Sequence, residues 1–279
     1  MSDDGAPELL DEAAFLAAWR EAGLADASPA TAAYEGGRLA DRPAWVFVAG
    51  YQAAIRARFP EIECAGWLAF AVSEDRNVPE DAVVATADDA EWSLSGCKTW
   101  VAQVDHVQEL IVSARNHART ELFRVPVDFK GVQLERRADP KFLAALSQGQ
   151  ARFDEAPAAR LDDPQRRRSF MAAEALAMML AATGYAHRHS PDDADSALRS
   201  LAAVVPRLED ALADLDALRA TDLLALDEQW QAPFEHWCAA ANAATLPEFE
   251  ADGRLFQLYR AGIAQQAERE QTKMTGGGR

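Results

Sequence analysis

In the stretch that starts at Gly66, alternate residues form two sets, and short apolar runs are separated by acidic or glycine turns. The first run sets two groups of residues against each other: Trp67, Ala69 and Ala71 on one side, and Leu68, Phe70 and Val72 on the other. Successive side chains of a strand face opposite sides of a sheet, so this pattern predicts antiparallel strands. Further apolar runs follow at 109–114, 121–127, 131–136 and 150–154. Strands at this density predict a barrel or a sandwich over residues 63–160, rather than a parallel sheet.

Residues 1–62 carry the spacing of two helices. The first covers residues 8–24, where apolar side chains recur at helical spacing. The stretch 28–31 consists of turn-forming residues and predicts a loop. The second helix begins near Pro43 and ends before Pro60, because the residue that precedes a proline resists helical geometry. This piece is too short to be an independent domain, so we expect it to pack on the rest of the chain.

The pattern changes to helical spacing over residues 161–274. Residues 170–186 are apolar nearly all round, which predicts a buried helix. Three further apolar faces follow at helical spacing, over residues 198–215, 223–241 and 255–263. Pro206 interrupts the first of these faces, so we expect the helix to kink or restart there. Four helices with short connections predict a bundle, and the glycine-rich tail 275–279 is predicted to be disordered.

Composition is that of a soluble globular protein and argues against some partners. The chain has 279 residues, of which 49% are hydrophobic and 26% charged. Its formal net charge of -17 argues against nucleic acids and anionic membrane surfaces as partners, because both would repel it. Three isolated cysteines provide neither a disulfide framework nor a metal motif, and the acidic N terminus does not resemble a signal peptide. We therefore expect a cytoplasmic protein without a metal site.

Four motifs follow one another along the chain. Residues 69–74 read AFAVSE, residues 94–101 read LSGCKTWV, Phe153-Asp154 closes the β region, and a small-residue patch surrounds Gly184 in the first bundle helix. In this order they resemble the first flavin strand, the Leu-x-Gly-x-Lys-x-Trp-Ile segment, the closing Phe-Asp motif and the small-residue patch of the acyl-CoA dehydrogenase family. The resemblance covers residues 60–190. It implies an α+β protein with a short N-terminal helical segment, a middle antiparallel β-barrel and a C-terminal four-helix bundle.

The family binds FAD, and the resemblance places this cofactor on the middle domain. There the isoalloxazine ring is held by backbone contacts, hydroxyls and a tryptophan. The matching positions in this chain are Phe70, Val72, Ser73 and Trp100. Ala102 stands where the family commonly has a Thr or Ser that donates to flavin N5. The alternative interpretation is that Phe70, Val72 and Trp100 are simply core residues of a barrel.

The family's base is a carboxylate that removes the substrate α-proton while a hydride passes from the β-carbon to the flavin. Some members carry this glutamate in the first bundle helix, and Glu174, ten residues before Gly184, has the matching position. Desolvation in an apolar helix favours the neutral acid and raises its pKa towards the range that is useful to a base. The alternative is that Glu174 lies near the helix start, stabilised by the helix dipole or by an arginine such as Arg167.

Two functions from different classes follow from the resemblance. The first is α,β-dehydrogenation of an acyl-CoA thioester by an FAD-dependent oxidoreductase of fatty acid metabolism, with Glu174 as the base. The second is a flavin-free homologue that binds an acyl thioester or serves as a partner subunit without redox chemistry. Departures from the family pattern favour the second. The Pro-x-x-Gly-Ser-Asp continuation after Glu74, the Arg-x-x-Phe-Gly segment that reaches the FAD diphosphate, and the Tyr-Glu-Gly segment are all missing.

The resemblance also implies an oligomer, because family members form dimers and tetramers through the bundle. Trp230, Phe234 and Trp237 are more aromatic residues than a small bundle needs, so we expect some of them to be buried between subunits. The expected assembly is a homo-oligomer, or a hetero-oligomer with a full-length homologue. The expected small-molecule partner is acyl-CoA or a similar thioester.

Overall fold

The computed structural model describes residues 10–89, 91–161, 165–191 and 195–276. It opens with three helices, α1 (Glu12–Glu21), α2 (Pro29–Leu39) and α3 (Pro43–Arg58). The sequence predicted only two helices here and assigned residues 28–31 to a loop. In the structure Ser28 is the N-cap of α2, because its hydroxyl accepts a hydrogen bond from the Thr31 N–H at 3.2 Å and Pro29 occupies the first helical position. The Ser-Pro pair starts a helix, and the loop prediction was wrong.

Seven strands form one mixed sheet in the middle of the chain. They are β1 (Trp67–Ala71), β2 (Val84–Asp88), β3 (Glu91–Ala102), β4 (Val107–Asn116), β5 (Arg119–Pro126), β6 (Val132–Arg136) and β7 (Gln148–Leu161). The pairings β4–β2, β2–β3, β3–β7, β7–β5 and β5–β4 close into a ring, while β1 joins β4 and β6 joins β7. The sheet is not wholly antiparallel as predicted, because β1 and β2 both pair with β4 in parallel. The long connection between β1 and β4 allows a parallel pair, which a tight hairpin cannot form.

Side chains of α3 cover the edge of β1 that faces away from β4. Gln52 bonds both backbone groups of Leu68: its Nε2 donates to the carbonyl at 2.7 Å, and its Oε1 accepts from the N–H at 3.1 Å. The Tyr51 hydroxyl does the same at Phe70, accepting from the N–H at 2.6 Å and donating to the carbonyl at 3.4 Å. Two adjacent residues of α3 thus replace a neighbouring strand, which fastens the N-terminal helices to the sheet.

The C-terminal part is helical, as predicted. Its elements are α4 (Gln165–Arg188), α5 (Asp195–Ala213), α6 (Ala220–Ala240), a 3-10 turn (Ala243–Thr245), α7 (Phe249–Asp252), a second 3-10 turn (Gly253–Gln257) and α8 (Arg260–Gly276). α5 continues through Pro206 and does not restart there. Residues 275 and 276 of the predicted tail belong to α8, so the prediction of disorder was wrong for them. Residues 277–279 of that tail, and residues 1–9 of the predicted N-terminal segment, lie outside the described residues.

α4 is the central helix, packed against α2 and α3 as well as α5 and α6. Its crossing with α2 is so close that a Cβ atom added at Gly184 would lie 2.0 Å from the Tyr34 carbonyl oxygen, and one added at Gly37 would lie 1.9 Å from that of Ala181. Within the described part of the chain, α4 alone is long and apolar enough to cross a membrane by length and composition. However, 83% of its Ser169–Arg188 stretch is buried inside the protein, as in the core helix of a globular fold.

The aromatic residues of α6 are buried within the chain itself. Trp230, Phe234 and Trp237 have almost no exposed surface, and the rings of Trp230 and Phe234 stack with their centroids 4.4 Å apart. Both indole N–H groups are satisfied internally, by Thr183 Oγ1 at 3.0 Å and by Ser190 Oγ at 2.9 Å. The expectation that these residues fill a subunit interface therefore does not hold, because one chain already covers their apolar surface and their polar groups.

Candidate functional site

Glu174 lies in the third turn of α4, deep in the protein but with part of its surface accessible. Burial disfavours the charged carboxylate and raises the pKa of Glu174 to about 7, while the nearby Tyr259 hydroxyl acts in the opposite direction. Among the described residues, no arginine contributes to this shift. A carboxyl group with such a pKa is about half ionised at neutral pH, which is the property that a general base requires.

Tyr51 connects Glu174 to the sheet. Its ring meets the rings of Trp100 and Phe170 edge-on, each at a centroid distance of 6.2 Å. Phe170 in turn packs against Phe70 at 4.1 Å. Burial raises the pKa of the Tyr51 phenol, and the nearby Glu174 charge raises it further. The fold therefore gathers Phe70, Trp100 and Glu174, which are far apart in the sequence, around one buried tyrosine.

Ser73 and Trp100 lie side by side next to this cluster. The Ser73 carbonyl accepts a hydrogen bond from the Thr99 N–H at 3.0 Å, which sets Ser73 beside the residue before Trp100. Ser73 is exposed and Trp100 is half-buried. The Trp100 indole Nε1 donates to Gln148 Oε1 at 3.1 Å, which fixes the plane of the ring. Both residues thus border accessible space beside the aromatic cluster.

An ion pair between the buried Lys98 and the exposed Glu74 holds the end of β1 in place. The Lys98 ammonium is fully buried and donates to the Glu74 carboxylate and to Ser113 Oγ. The same Glu74 oxygen accepts from the Val83 N–H at 3.1 Å. Burial lowers the pKa of Lys98, and the Glu74 carboxylate opposes that shift. These bonds tie the segment that carries Ser73 to β3 and β4.

Val72 occupies the open position on the edge of β1. The backbone groups of Leu68 and Phe70 on this edge are satisfied by side chains of α3. Val72 is the next residue along the chain whose backbone groups point to the same edge as those of Leu68 and Phe70. In the part of the chain that the structure describes, no side chain or turn forms a hydrogen bond with its N–H or C=O. These two groups are therefore available to a ligand beside Ser73.

Phe70 and Ala102 serve the core. Both are buried, and the Phe70 ring lies against the rings of Phe59 and Phe170. Ala102 pairs with Gln148 at the end of β3 and presents no polar side-chain atom. The core interpretation thus fits the side chain of Phe70, whereas Val72, Ser73, Trp100 and Glu174 keep accessible surface.

Tyr51 and Tyr259 were missed by sequence reasoning. Tyr259 was assigned only to the apolar face 255–263, and no motif includes Tyr51. A tyrosine in a buried helix face needs a partner for its hydroxyl, and this is the one signal that could have pointed to either residue. That signal gives no partner, because Tyr51 bonds Phe70 and Tyr259 comes near Glu174 only through the tertiary fold.

Solved structures share this arrangement of N-terminal helices, sheet and C-terminal helices. An acyl-CoA dehydrogenase from Geobacillus kaustophilus superposes with a TM-score of 0.64 at 12% identity, over 94% of this chain and 90% of that chain. A KijD3 in complex with FMN and a dTDP-glucose derivative gives 0.64 at 12% identity, over 97% and 88%. The ChsE4–ChsE5 complex from Mycobacterium tuberculosis gives 0.57 at 14% identity, over 92% and 87%. No protein-family model and no curated protein matches the sequence.

In these superpositions the chain shares the order of N-terminal helices, sheet and C-terminal helices with the solved structures. This architecture is the acyl-CoA dehydrogenase fold. This confirms the fold class that the motifs predicted. At these sequence identities the likeness establishes the fold alone.

Proposed function

We propose that this protein is a flavin-dependent oxidoreductase that uses Glu174 as its base. The observation that carries the proposal is Glu174 itself, a deep but accessible carboxyl group with a pKa of about 7, in one cluster with Tyr51 and Trp100. Carboxyl groups perturbed in this way concentrate at functional sites. The fold and the resemblance to acyl-CoA dehydrogenases support removal of a proton and a hydride from adjacent carbons of an acyl thioester.

Each residue of the site has a separate role in the proposed reaction. Glu174 accepts the substrate proton in its ionised form, which is about half of the molecules at pH 7. Phe70 and Phe170 keep water away from the inner side of the cluster, and this desolvation keeps the carboxylate basic. Tyr51 fixes the edge of β1, so that the position of Val72 relative to Glu174 is set by packing.

A flavin, when bound, supplies the acceptor for the hydride. The groups that fit its ring are the backbone N–H and C=O of Val72, the hydroxyl of Ser73 and the indole of Trp100. Ala102 offers no hydroxyl at the position where the resemblance places a donor to flavin N5. The resemblance implies FAD, whereas the KijD3 structure contains FMN. The absence of the Arg-x-x-Phe-Gly segment weakens the case for FAD, because that segment contacts a diphosphate that FMN lacks.

Flavin binding tests the proposal. Purified protein is incubated with FAD or with FMN, freed of unbound flavin and examined by visible absorption. We expect one flavin to stay with the protein and to bleach when an acyl-CoA is added without oxygen. A protein that retains neither flavin contradicts the proposal.

The role of Glu174 is tested in the same assay. In Glu174→Gln, the flavin should remain bound while bleaching slows by at least about 100-fold, the usual contribution of a general base. Glu121→Gln is the matched control, because Glu121 is a half-buried glutamate of β5 paired with Arg160. It should bleach at the wild-type rate. Equal rates in wild type and Glu174→Gln would remove Glu174 from the mechanism.

The second candidate is a flavin-free homologue that binds an acyl thioester or acts as a partner subunit. Two observations favour it: the backbone groups of Phe70 are already bonded to Tyr51, and Ala102 is buried without a hydroxyl. Both remove contacts that the resemblance assigns to a flavin. The solved ChsE4–ChsE5 structure is itself a complex. A colourless protein that forms a defined complex with a full-length homologue, measured by light scattering, would favour this function over the first.

A further inference from the structure

The one polar hydrogen of the Trp100 side chain is bonded inside the protein. Its indole Nε1 donates to Gln148 Oε1 at 3.1 Å. An indole has no other polar hydrogen and no acceptor. Trp100 is half-buried, whereas Gln148 is buried at the start of β7. The accessible part of Trp100 is therefore the carbon surface of its ring, and not its N–H group.

The Gln148 amide fits its partners in one orientation only. Its Nε2 donates to the Phe142 carbonyl at 2.7 Å and to the Leu143 carbonyl at 3.1 Å. A carbonyl only accepts and an indole N–H only donates, so the amide nitrogen must face the two carbonyls and the amide oxygen must face Trp100. An amide satisfies all three partners at once, which neither a carboxylate nor an apolar side chain can do.

The two carbonyls are held by the C-terminal helical part of the chain. The Leu143 N–H donates to Asp252 Oδ1 of α7 at 2.8 Å. The Arg254 guanidinium, in the 3-10 turn that follows α7, lies 4.3 Å from the centroid of the Phe142 ring. Leu143 has a positive φ of 52°, which a leucine rarely adopts and which persists only where surrounding contacts hold it. Gln148 thus bonds to a fixed support.

Two aromatic rings of α3 restrict Trp100 further. The rings of Phe47 and Tyr51 each meet the Trp100 ring edge-on, at a centroid distance of 6.2 Å. These two rings are stacked on each other at 5.2 Å, and both residues are buried. The aromatic pair restricts where the indole lies, and the bond to Gln148 selects which edge of the indole points inward.

We propose that Gln148 is a positioning residue of the candidate flavin site: it holds the indole N–H of Trp100 inward, so that Trp100 meets a bound flavin through the carbon surface of its ring and donates no hydrogen bond to it. A ring that is already held in one orientation loses little conformational entropy when a planar ligand packs against it. Gln148 is buried and acts through Trp100. The role in flavin binding rests on the proposed function, whereas the orientation of Trp100 does not.

The orientation of Trp100 is tested in protein without flavin. The indole N–H of Trp100 is observed by NMR, and Trp100→Phe assigns its signal among those of the seven tryptophans. Gln148→Met keeps the length of the side chain and removes its polar atoms. Exchange of the Trp100 indole hydrogen with solvent should then accelerate by about 10-fold, because a hydrogen bond is worth a free energy of that order.

Gln150→Met is the matched control for this substitution. Gln150 is a half-buried glutamine of the same strand, and its amide bonds the Glu135 carboxylate. The exchange rate of the Trp100 indole hydrogen should be the same in Gln150→Met as in the wild type. Equal exchange in Gln148→Met and the wild type overturns the proposal.

Gln148→Glu separates the bond to Trp100 from a general loss of stability. Glutamate has the shape of glutamine and keeps an oxygen for the Trp100 indole, but it lacks the amide hydrogens that Phe142 and Leu143 accept. Both variants should therefore unfold at a lower urea concentration than the wild type, and only Gln148→Met should lose protection of the indole hydrogen. Equally fast indole exchange in both variants would contradict the proposed role.

A measurement on the wild type covers the case in which these variants do not fold. A nuclear Overhauser effect between the Trp100 indole hydrogen and the Gln148 side chain is expected, because the two groups are in hydrogen-bond contact. Its absence would overturn the proposal.

Flavin fluorescence provides a separate readout. An indole ring in contact with a flavin quenches the fluorescence of the flavin, and the fluorescence is compared per bound flavin. Gln148→Glu should quench like the wild type, whereas Gln148→Met should recover part of the fluorescence and bind flavin about 10-fold more weakly. Equal quenching in the two variants would overturn the role of Gln148 at the flavin. If the wild type binds no flavin, the proposed function fails, whereas indole exchange still decides whether Gln148 orients Trp100.

Discussion

The two halves of α4 are packed in opposite ways. In the C-terminal half, Gly184 meets the backbone of Tyr34, and Gly37 of α2 meets the backbone of Ala181, with no room for a methyl group at either glycine. In the N-terminal half, Phe170 contacts aromatic rings, and Glu174 keeps accessible surface. One helix therefore carries both the closest backbone contact with α2 and the candidate base.

The difference shows how a fold can hold a carboxyl group in an unfavourable environment. Backbone contacts prevent α4 from sliding or rotating, since packed interiors do not deform continuously. Glu174 therefore cannot escape to solvent by a shift of the helix, and its pKa responds instead. Changes in the tight half should act on the stability of the whole fold, whereas changes in the open half should act on protonation.

The largest effect is expected at the tight half. Gly184→Ala places a methyl group 2.0 Å from a backbone carbonyl oxygen, so α2 and α4 must separate. Overpacking of this kind should cost about 3 kcal/mol of unfolding free energy or more, measured by urea denaturation. Gly262→Ala in α8 is the matched control, because the methyl group meets only the flexible Met171 side chain. Similar losses at both glycines would contradict the special role of the α2–α4 crossing.

A smaller, pH-dependent effect is expected at the open half. The pKa of Glu174 is about 7 in the folded protein against an ordinary value of 4.5, so between these pH values the native state binds more protons than the unfolded state. Stability contributed by this group is therefore present at low pH and is lost as pH rises through 7. Glu174→Gln should match the wild type near pH 4 and exceed it by up to about 3 kcal/mol at pH 8, measured by urea denaturation. A constant difference across this range would disagree with a raised pKa.

The smallest effect is expected at Tyr51 of α3, which contacts both β1 and the N-terminal half of α4. Tyr51→Phe removes the acceptor for the Phe70 N–H and leaves a buried donor without a partner. The expected loss of unfolding free energy is about 1–2 kcal/mol, with faster hydrogen exchange at the Phe70 amide. Tyr34→Phe provides the control, because it removes a phenol that bonds His187 rather than Phe70, and the Phe70 amide of this variant should exchange at the wild-type rate. Unchanged exchange in Tyr51→Phe would show that Tyr51 does not cover the edge of β1.

The local sequence pattern predicted whether a segment is a helix or a strand. It predicted less well where each element begins and ends. The alternation from Trp67 to Ala71 predicted a strand, and the continuous apolar run at 170–186 predicted a buried helix, because both periods involve neighbouring residues only. Ser28 shows the limit of this reasoning. A Ser-Pro pair fits a loop as well as a helix start, and only the following turn of α2 decides between them.

The candidate site was accessible to sequence reasoning only where a residue contrasted with its surroundings. Glu174 is the one acid between residues 170 and 186, so its burial and its raised pKa could be anticipated. Tyr259 carried no such contrast, because an aromatic residue in an apolar face is ordinary. Trp230 and Trp237 misled for the same reason, since pattern cannot tell burial within a chain from burial between chains.

By itself, the sequence determined the order of helices, strands and helices, the acidic surface charge and the presence of one carboxyl group in an apolar helix. Only the tertiary structure decided that β1 pairs with β4 in parallel, that Tyr51 covers the free edge of that strand, and that Tyr259 lies near Glu174. The physical reason is the separation of the contacting residues along the chain. Period and composition describe residues that are neighbours along the chain, whereas these contacts depend on how whole elements are placed against one another.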